Sequence, residues 1–411
     1  MRSYAEIMRL PGARSFCLAA LIARGGGAMM GIGTVMAITG LYGSYGLAGA
    51  VTAANGLGWA AGAAPLGNLV DRFGQRRVML PCCLTSAGML VVMIVAIQLH
   101  APGWVLFFPA AISGFVAGSP GALVRARWAH ATKNPAQLHS ALSLESTLDE
   151  LCFVIGPVVA TVLSTQVTAV AGLVPPAVLG ALGGTWFYSQ QATEPPVQQR
   201  VPDAARTGPR GFLLTMPGVL PVVVIPLVVG LGFGAIDVSV VAATEAWGNK
   251  GNSAWVLAAM SAGSAIAGLL YGAKIWRVSL PRRFLIGLTA LALGFGLMPA
   301  MRSALMLGLL GFVAGATVAP SFINANSLVQ VLVPPRRLTE GLAWVGTFVG
   351  VGSAAGSAAA GQLVDAQGYR AAFWSVLGSG AVSLLVALIS FRSVNRAHQA
   401  AVEARQAARE A

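Results

Sequence analysis

Gly67-Asn68-Leu69-Val70-Asp71-Arg72-Phe73-Gly74-Gln75-Arg76-Arg77 is the stretch on which the reading of this chain turns. It places an aspartate and three arginines in a very short link between two long apolar runs. Gly67 and Asp71 are four residues apart, so on a helix they share a face. A glycine there admits another helix at close range, and an aspartate at the helix end suits the N-terminal amides of a partner helix. Gly74 permits a sharp turn. The arginines belong on the cytoplasmic side of a membrane, where short basic loops collect.

Composition points the same way. Of 411 residues, 56% are hydrophobic and only 9% charged, where a soluble domain carries about 25% charged residues. The apolar runs are about 20 residues long and do not alternate with period two, which gives an all-α membrane protein rather than a β-barrel. In a soluble protein a net charge of +13 would suggest nucleic acid. Here the basic residues lie between apolar runs, and orientation in the lipid bilayer accounts for them, with no nucleic-acid partner. Cys17, Cys82, Cys83 and Cys152 all fall in apolar runs without metal-ligand spacing, and read as small buried residues rather than disulfides. The N-terminus does not have the pattern of a cleaved signal, so the first span is expected to remain.

Taken in order, the sequence predicts twelve spans. In the first set they run over Phe16 to Tyr42, Tyr45 to Val70, Val78 to Leu99, Trp104 to Val124, Leu138 to Val162 and Ala169 to Tyr188. Arg125, Arg127, His130 and Lys133 read as a cytoplasmic loop after the fourth span. Residues 189–215, with Pro195, Pro196, Pro202, Pro209, Glu194, Arg200, Asp203, Arg206 and Arg210, form a polar, proline-rich linker. The second set covers Val219 to Ala243, Ala254 to Trp276, Phe284 to Met301, Ala304 to Val331, Thr339 to Val364 and Arg370 to Phe391. Lys274, Arg277, Arg282 and Arg283 repeat a basic loop at the place matching the first, without the aspartate. The expected division is 1–188, a six-helix bundle; 189–215, a cytoplasmic linker; 216–392, a second bundle; and 393–411, a cytoplasmic tail. With both termini inside, all but four of the 26 Lys and Arg residues fall on the cytoplasmic side. Lys250, Arg302 and Arg370 fall outside and Arg24 within a span, a bias that sets topology.

The opening stretch resembles the signature loop between helices 2 and 3 of the major facilitator superfamily, usually written G-x-x-x-D-R-x-G-R-R. Gly67, Asp71, Arg72, Gly74, Arg76 and Arg77 carry the match, with Gln75 as a spacer. The resemblance implies two pseudo-symmetric six-helix bundles and a substrate site at the midplane between the repeats. It also implies that Asp71 meets the start of helix 11, at Thr339 and Glu340, when the cytoplasmic side is closed. Gly156-Pro157 in helix 5 looks like the antiporter motif of the superfamily's drug exporters. Ala160-Thr161 replaces that motif's glycine pair, Cys152 replaces its earlier glycine, and a simple proline kink is an equal reading. Ala110 stands where those exporters carry an arginine in helix 4.

Charges inside hydrocarbon cost about 2.5–3.5 kcal/mol each, so each asks for a reason. Arg24 lies roughly 12 Å into the first span at 1.5 Å per residue. It either snorkels to the surface or faces the central cavity. Helix 5 holds Glu145, Asp149 and Glu150 in one apolar run. Glu145 and Asp149 share a face, at a depth close to that of Arg24. An Arg24 pair with Glu145 or Asp149 is expected, as a structural ion pair or as a coupling group. One arginine cannot neutralise three acids, and a spare carboxyl in low dielectric is what a proton carrier needs. In the second half, Asp237 is a candidate for the external gate. Asn324 and Asn326 offer hydrogen bonds to a substrate or to neighbouring helices.

No phosphate-binding loop, metal cluster or nucleophile elbow is present, so neither enzymatic activity nor a cofactor is expected. The expected function is secondary transport by alternating access, as proton-coupled efflux of a small organic compound. Uptake or facilitated diffusion of a polar metabolite is one alternative, and a non-transporting sensor or partner subunit another. The expected setting is a bacterial inner membrane with the protein as a monomer. Its partners are a small-molecule substrate, protons and lipid.

Overall fold

Apolar runs separated by short links fold here into helices. The computed structural model describes residues 6–197, 213–273, 276–334 and 337–410, without the side chains of 135, 136, 139, 273, 338–340 and 405–410. Most of the linker, with Arg200, Pro202, Asp203, Arg206, Pro209 and Arg210, lies outside the described residues, as do Lys274 and the side chains of Thr339 and Glu340. Among the described residues there is no strand.

The chain divides into two compact units, Met1–Ala205 and Arg206–Ala411. In the first, α1 (Ala13–Gly25) and α2 (Gly27–Tyr42) form one span through Gly26, whose backbone stays helical. Then come α3 (Tyr45–Phe73), α4 (Gln75–Gln98), α5 (Gly103–Ala117), α6 (Pro120–Ala131), α7 (Pro135–Gln166) and α8 (Val174–Ser189). The second unit holds α9 (Val219–Ala246), α10 (Ser253–Ala273), α11 (Leu280–Leu297), α12 (Ala304–Leu332), α13 (Leu338–Gln367) and α14 (Tyr369–Glu410). Among the described residues ten segments are long and apolar enough to cross a membrane. The other two expected spans are helices as well: α3, rich in glycine and alanine, and α8, with 16 residues.

Each unit, taken by itself, uses the same neighbour scheme. In the first, α2 packs on α7, α1 on α8, α3 on α5, and α4 on α5 and α8. In the second, α9 packs on α13 and α14, α10 on α12, and α11 on α12 and α14. Glycines permit the closest of these approaches. Gly352 and Gly356 of α13 lie against the carbonyls of Leu227 and Leu231 in α9, where a Cβ would have no room. Gly58 and Gly62 of α3 do the same against Ala111 and Phe115 of α5.

Four expectations need correction. The fourth span is not one helix from Trp104 to Val124. It breaks at Gly118, with φ 62°, and restarts as α6, with Ser119 as N-cap and Pro120 at the first helical position. Arg125, Arg127 and His130 are therefore helical rather than in a loop. Arg76 and Arg77 likewise lie in the first turn of α4, and Arg282 and Arg283 in that of α11. The tail does not begin afresh after Phe391, because α14 continues to Glu410. Finally, a Cβ at Gly67 would meet open space within its own unit, so the glycine is not used there for helix contact.

Candidate functional site

Three helices of the first unit bring the membrane-buried charges together. On α1, Cys17 and Arg24 are two turns apart and share a face. On α7, Glu145 and Asp149 share another. On α6, Arg125 and Trp128 are three residues apart and both reach α7. Arg24 pairs with Glu145 through Nη2 and Oε2. Its Nε lies 3.2 Å from Asp149 Oδ1. Arg125 Nη2 donates to Asp149 Oδ2 at 2.5 Å and its Nη1 to the Gly121 carbonyl at 2.9 Å. Glu145 Oε1 also accepts from Trp128 Nε1 at 2.6 Å and from the Cys17 thiol at 3.3 Å. Phe16 packs edge-on against Trp128, with ring centroids 4.7 Å apart.

The two acids are held differently. Glu145 is 0% exposed and Arg24 8%, whereas Asp149 is 28% and Arg125 34% exposed. Two arginines face two carboxylates, so the group is formally neutral, which buried charge requires. Glu150 is half-buried on the same helix, and no basic side chain pairs with it among the described residues. Gly156 lies against Ala28 of α2, so close packing explains that glycine of the antiporter-like pair.

A second buried arginine sits two residues from Arg125. Arg127 is 0% exposed. Its Nε donates to Gln75 Oε1 at 2.9 Å. Nη1 donates to the Gln190 carbonyl at 3.1 Å and to Thr193 Oγ1 at 2.8 Å. The guanidinium lies 4.1 Å over the Phe187 ring. Gln75, taken as a spacer in the signature stretch, is thus one of its buried partners, and it also donates to the Leu123 carbonyl at 3.3 Å.

In the signature stretch Gly74 has φ 88°, a conformation that L side chains rarely adopt. Asp71, Arg72, Arg76 and Arg77 are exposed. Arg72 lies 5.0 Å over the Phe73 ring. Two arginines in the first turn of α4 oppose its dipole, and Glu194 offsets them by accepting from the Arg76 amide at 3.1 Å. The first residues of the linker therefore cap the helix that follows the signature turn.

The remaining candidates lie in the second unit. Asp237 is half-buried on α9, and no basic residue pairs with it among the described residues. Buried Asn324 accepts from the Tyr271 hydroxyl at 2.8 Å, and Arg283 donates to that hydroxyl at 3.4 Å. The Asn324 amide nitrogen has no partner among the described residues. Asn326 is half-buried on the same helix. Glu245, at the end of α9, pairs with Lys250 at 3.3 Å.

Sequence reading missed Arg125, Arg127 and the roles of Gln75, Cys17 and Trp128. Gly118-Ser119-Pro120 was the available signal, since a left-handed glycine, an N-cap serine and an N1 proline announce a helix restart.

An all-helical chain with a repeated six-helix scheme and ion pairs between apolar helices belongs to the class of multi-pass membrane transporters. The profile of the Major Facilitator Superfamily matches residues 16–242 and 222–410, and the chain belongs to that family. No curated protein sequence matches it. Among solved structures, the nucleoside transporter NupG superposes with TM-score 0.68 at 15% identity, over 94% of this chain and 99% of that one. A bacterial homologue of the iron transporter ferroportin gives 0.70 at 14%, over 92% and 98%. The human organic anion transporter MFSD10 gives 0.63 at 15%, over 91% and 98%. At these identities the likeness is one of fold.

Proposed function

We propose that this chain is a proton-coupled secondary transporter for a small organic compound, working by alternating access in a bacterial inner membrane with both termini cytoplasmic. The observation that carries the reading is the network of Arg24, Glu145, Asp149 and Arg125 inside the first bundle. Four charges in apolar helices are costly, and a protein that only had to fold would do as well with apolar residues there. Carboxylates between arginines can exchange an ion pair for a proton. Asp71, with Arg72, Arg76 and Arg77, would gate the inner side; Asp237, Asn324, Asn326 and Glu150 would line the substrate and proton pathway.

Efflux as the direction rests on the resemblance of Gly156-Pro157 to the antiporter motif, of which Gly156 is also accounted for by its packing on Ala28. A second reading, uptake of a polar metabolite, is supported by Arg125. An exporter of cations gains nothing from a second arginine on its acidic pair.

Proton movement in proteoliposomes tests the reading, using an internal pH dye and a panel of lipophilic cations, sugars and aromatic acids. Substrate-dependent proton flux is expected in the wild type, abolished in Asp149→Asn and strongly reduced in Glu145→Gln. Asp71→Asn is expected to slow the flux without uncoupling it. Substrate flux with no proton signal, unchanged in the helix α7 variants, would make the protein a facilitator and the acids structural.

A further inference from the structure

The network is asymmetric in a way that assigns its members different work. Glu145 is completely buried and has Arg24, Trp128 and Cys17 as fixed partners. Asp149 bridges both arginines and leaves 28% of its side chain uncovered by the protein, and Arg125 34%. Arg125 is also anchored to its own helix by the Gly121 carbonyl, so its guanidinium stays in place when the carboxylate lets go. A Cβ at Gly121 would lie 3.1 Å from Arg125 Nη1, so the glycine lets the guanidinium lie close to its own helix. Arg24 is deeply buried, with Nη2 and Nε on the two carboxylates and the Cys152 thiol beside it.

We propose that Arg125, backed by Arg24, is an anion-binding site that protonation of Asp149 opens. This rests on the proton-coupled reading and selects its second direction. When a proton adds to the Asp149 carboxylate, the 2.5 Å ion pair is lost and Nη2 of Arg125 is released, while one Nη1 hydrogen stays on the Gly121 carbonyl and the other N–H groups complete the fork. That fork matches a carboxylate, sulfonate or phosphate in two parallel hydrogen bonds. The charge count closes over the two arginines, Glu145, Asp149 and the substrate, with neighbouring Glu150 in the same state before and after. Before loading, two arginines face Glu145 and Asp149; after loading, they face Glu145 and the substrate anion, with the proton on Asp149. One proton and one monoanion therefore load together and cross without net charge, and an inward proton gradient draws the anion inward. The titratable or charged groups around Asp149 are Arg24 and Cys17 on α1, Arg125 on α6, and Glu145, Glu150 and Cys152 on α7. Glu145 has less freedom, because releasing it would leave buried Trp128 and Cys17 without their acceptor and Arg24 with Asp149 alone.

The probes are benzenesulfonate and benzamidinium, of similar size and of fixed opposite charge across the working range. Binding to the purified full chain is followed by thermal stabilisation and titration at several pH values. Benzenesulfonate is expected to bind, weakening by about tenfold per pH unit where Asp149 is deprotonated, as one linked proton requires. In Asp149→Asn the same affinity should hold at every pH. Arg125→Lys should weaken binding and Arg125→Ala should remove it. Preference for benzamidinium, binding of neither probe, or wild-type sulfonate binding without pH dependence would overturn the anion assignment. Proton flux driven by benzamidinium would overturn it while leaving the coupled reading intact. Sulfonate binding with the expected pH slope, but no proton movement in proteoliposomes, would support the anion site and sink the coupled reading instead.

Discussion

Arg125 and Arg127 are two residues apart on one helix, and they do opposite things. At about 100° per residue they point some 200° apart, so one faces α7 and the other faces α4 and the end of α8. Arg127 is wholly buried and held by a glutamine, a backbone carbonyl, a threonine and an aromatic face. None of those partners gains or loses a proton in the physiological range, so the arrangement has one state. Arg125 is partly exposed and held by a carboxylate. That partner has two protonation states, and the pair can open. A buried arginine is thus a rivet or a switch according to whether its acceptors are neutral dipoles or an acid.

Damage in the two regions therefore follows different rules. In the charged region the balance of charge decides. Glu145→Leu alone leaves Arg24 under-compensated and Trp128 and Cys17 without their acceptor. It is expected to lower stability by about 3–5 kcal/mol. Adding Arg24→Leu restores neutrality, with Asp149 still paired to Arg125, and should recover most of that loss while transport stays dead. Thermal unfolding in detergent measures both; a double variant no better than the single one would break the comparison.

In the neutral region the number of hydrogen bonds decides, and no second deletion rescues the first. Arg127→Ala strands Gln75 and Thr193 and should cost about 3 kcal/mol, at roughly 1–3 kcal/mol for each group left unpaired. Arg127→Lys keeps the charge but loses the fork, and should cost about half as much. Neither change should alter the pH dependence of ligand binding, whereas Asp149→Asn should remove that dependence and also lower thermal stability, because it leaves two arginines facing Glu145 alone. A shifted pH profile in Arg127→Lys would show that the rivet also takes part in the switch.

The same contrast explains what the sequence could reveal. Twelve helices in two sets were legible because apolar runs of spanning length, separated by basic links, have few other interpretations. The meeting of Arg24 with Glu145 and Asp149 was legible because depth along two helices can be counted from their ends. Arg125 and Arg127 were not, because a basic residue at the end of an apolar run reads as a solvated topology signal. Only the restart at Gly118-Ser119-Pro120 carries the chain back into a helix that buries Arg127 and turns Arg125 toward α7. Gln75 was unreadable for a different reason. Its partner is 52 positions away, and nothing local shows that the starts of α4 and the end of α6 meet. The alanine-rich tail from Arg392 was legible as a helix; its continuity with the last span was not, because the change from apolar to polar composition at Arg392 does not itself break a helix.

The central claim is that Asp149, rather than Glu145, takes up the proton. Infrared difference spectroscopy on the membrane-reconstituted protein, stepped from neutral to acid pH, reads protonated carboxyl groups directly and needs no substrate. The account predicts a protonated-carboxyl band that appears on acidification, disappears in Asp149→Asn and persists in Glu145→Gln. A band that survives in Asp149→Asn and vanishes in Glu145→Gln would contradict it.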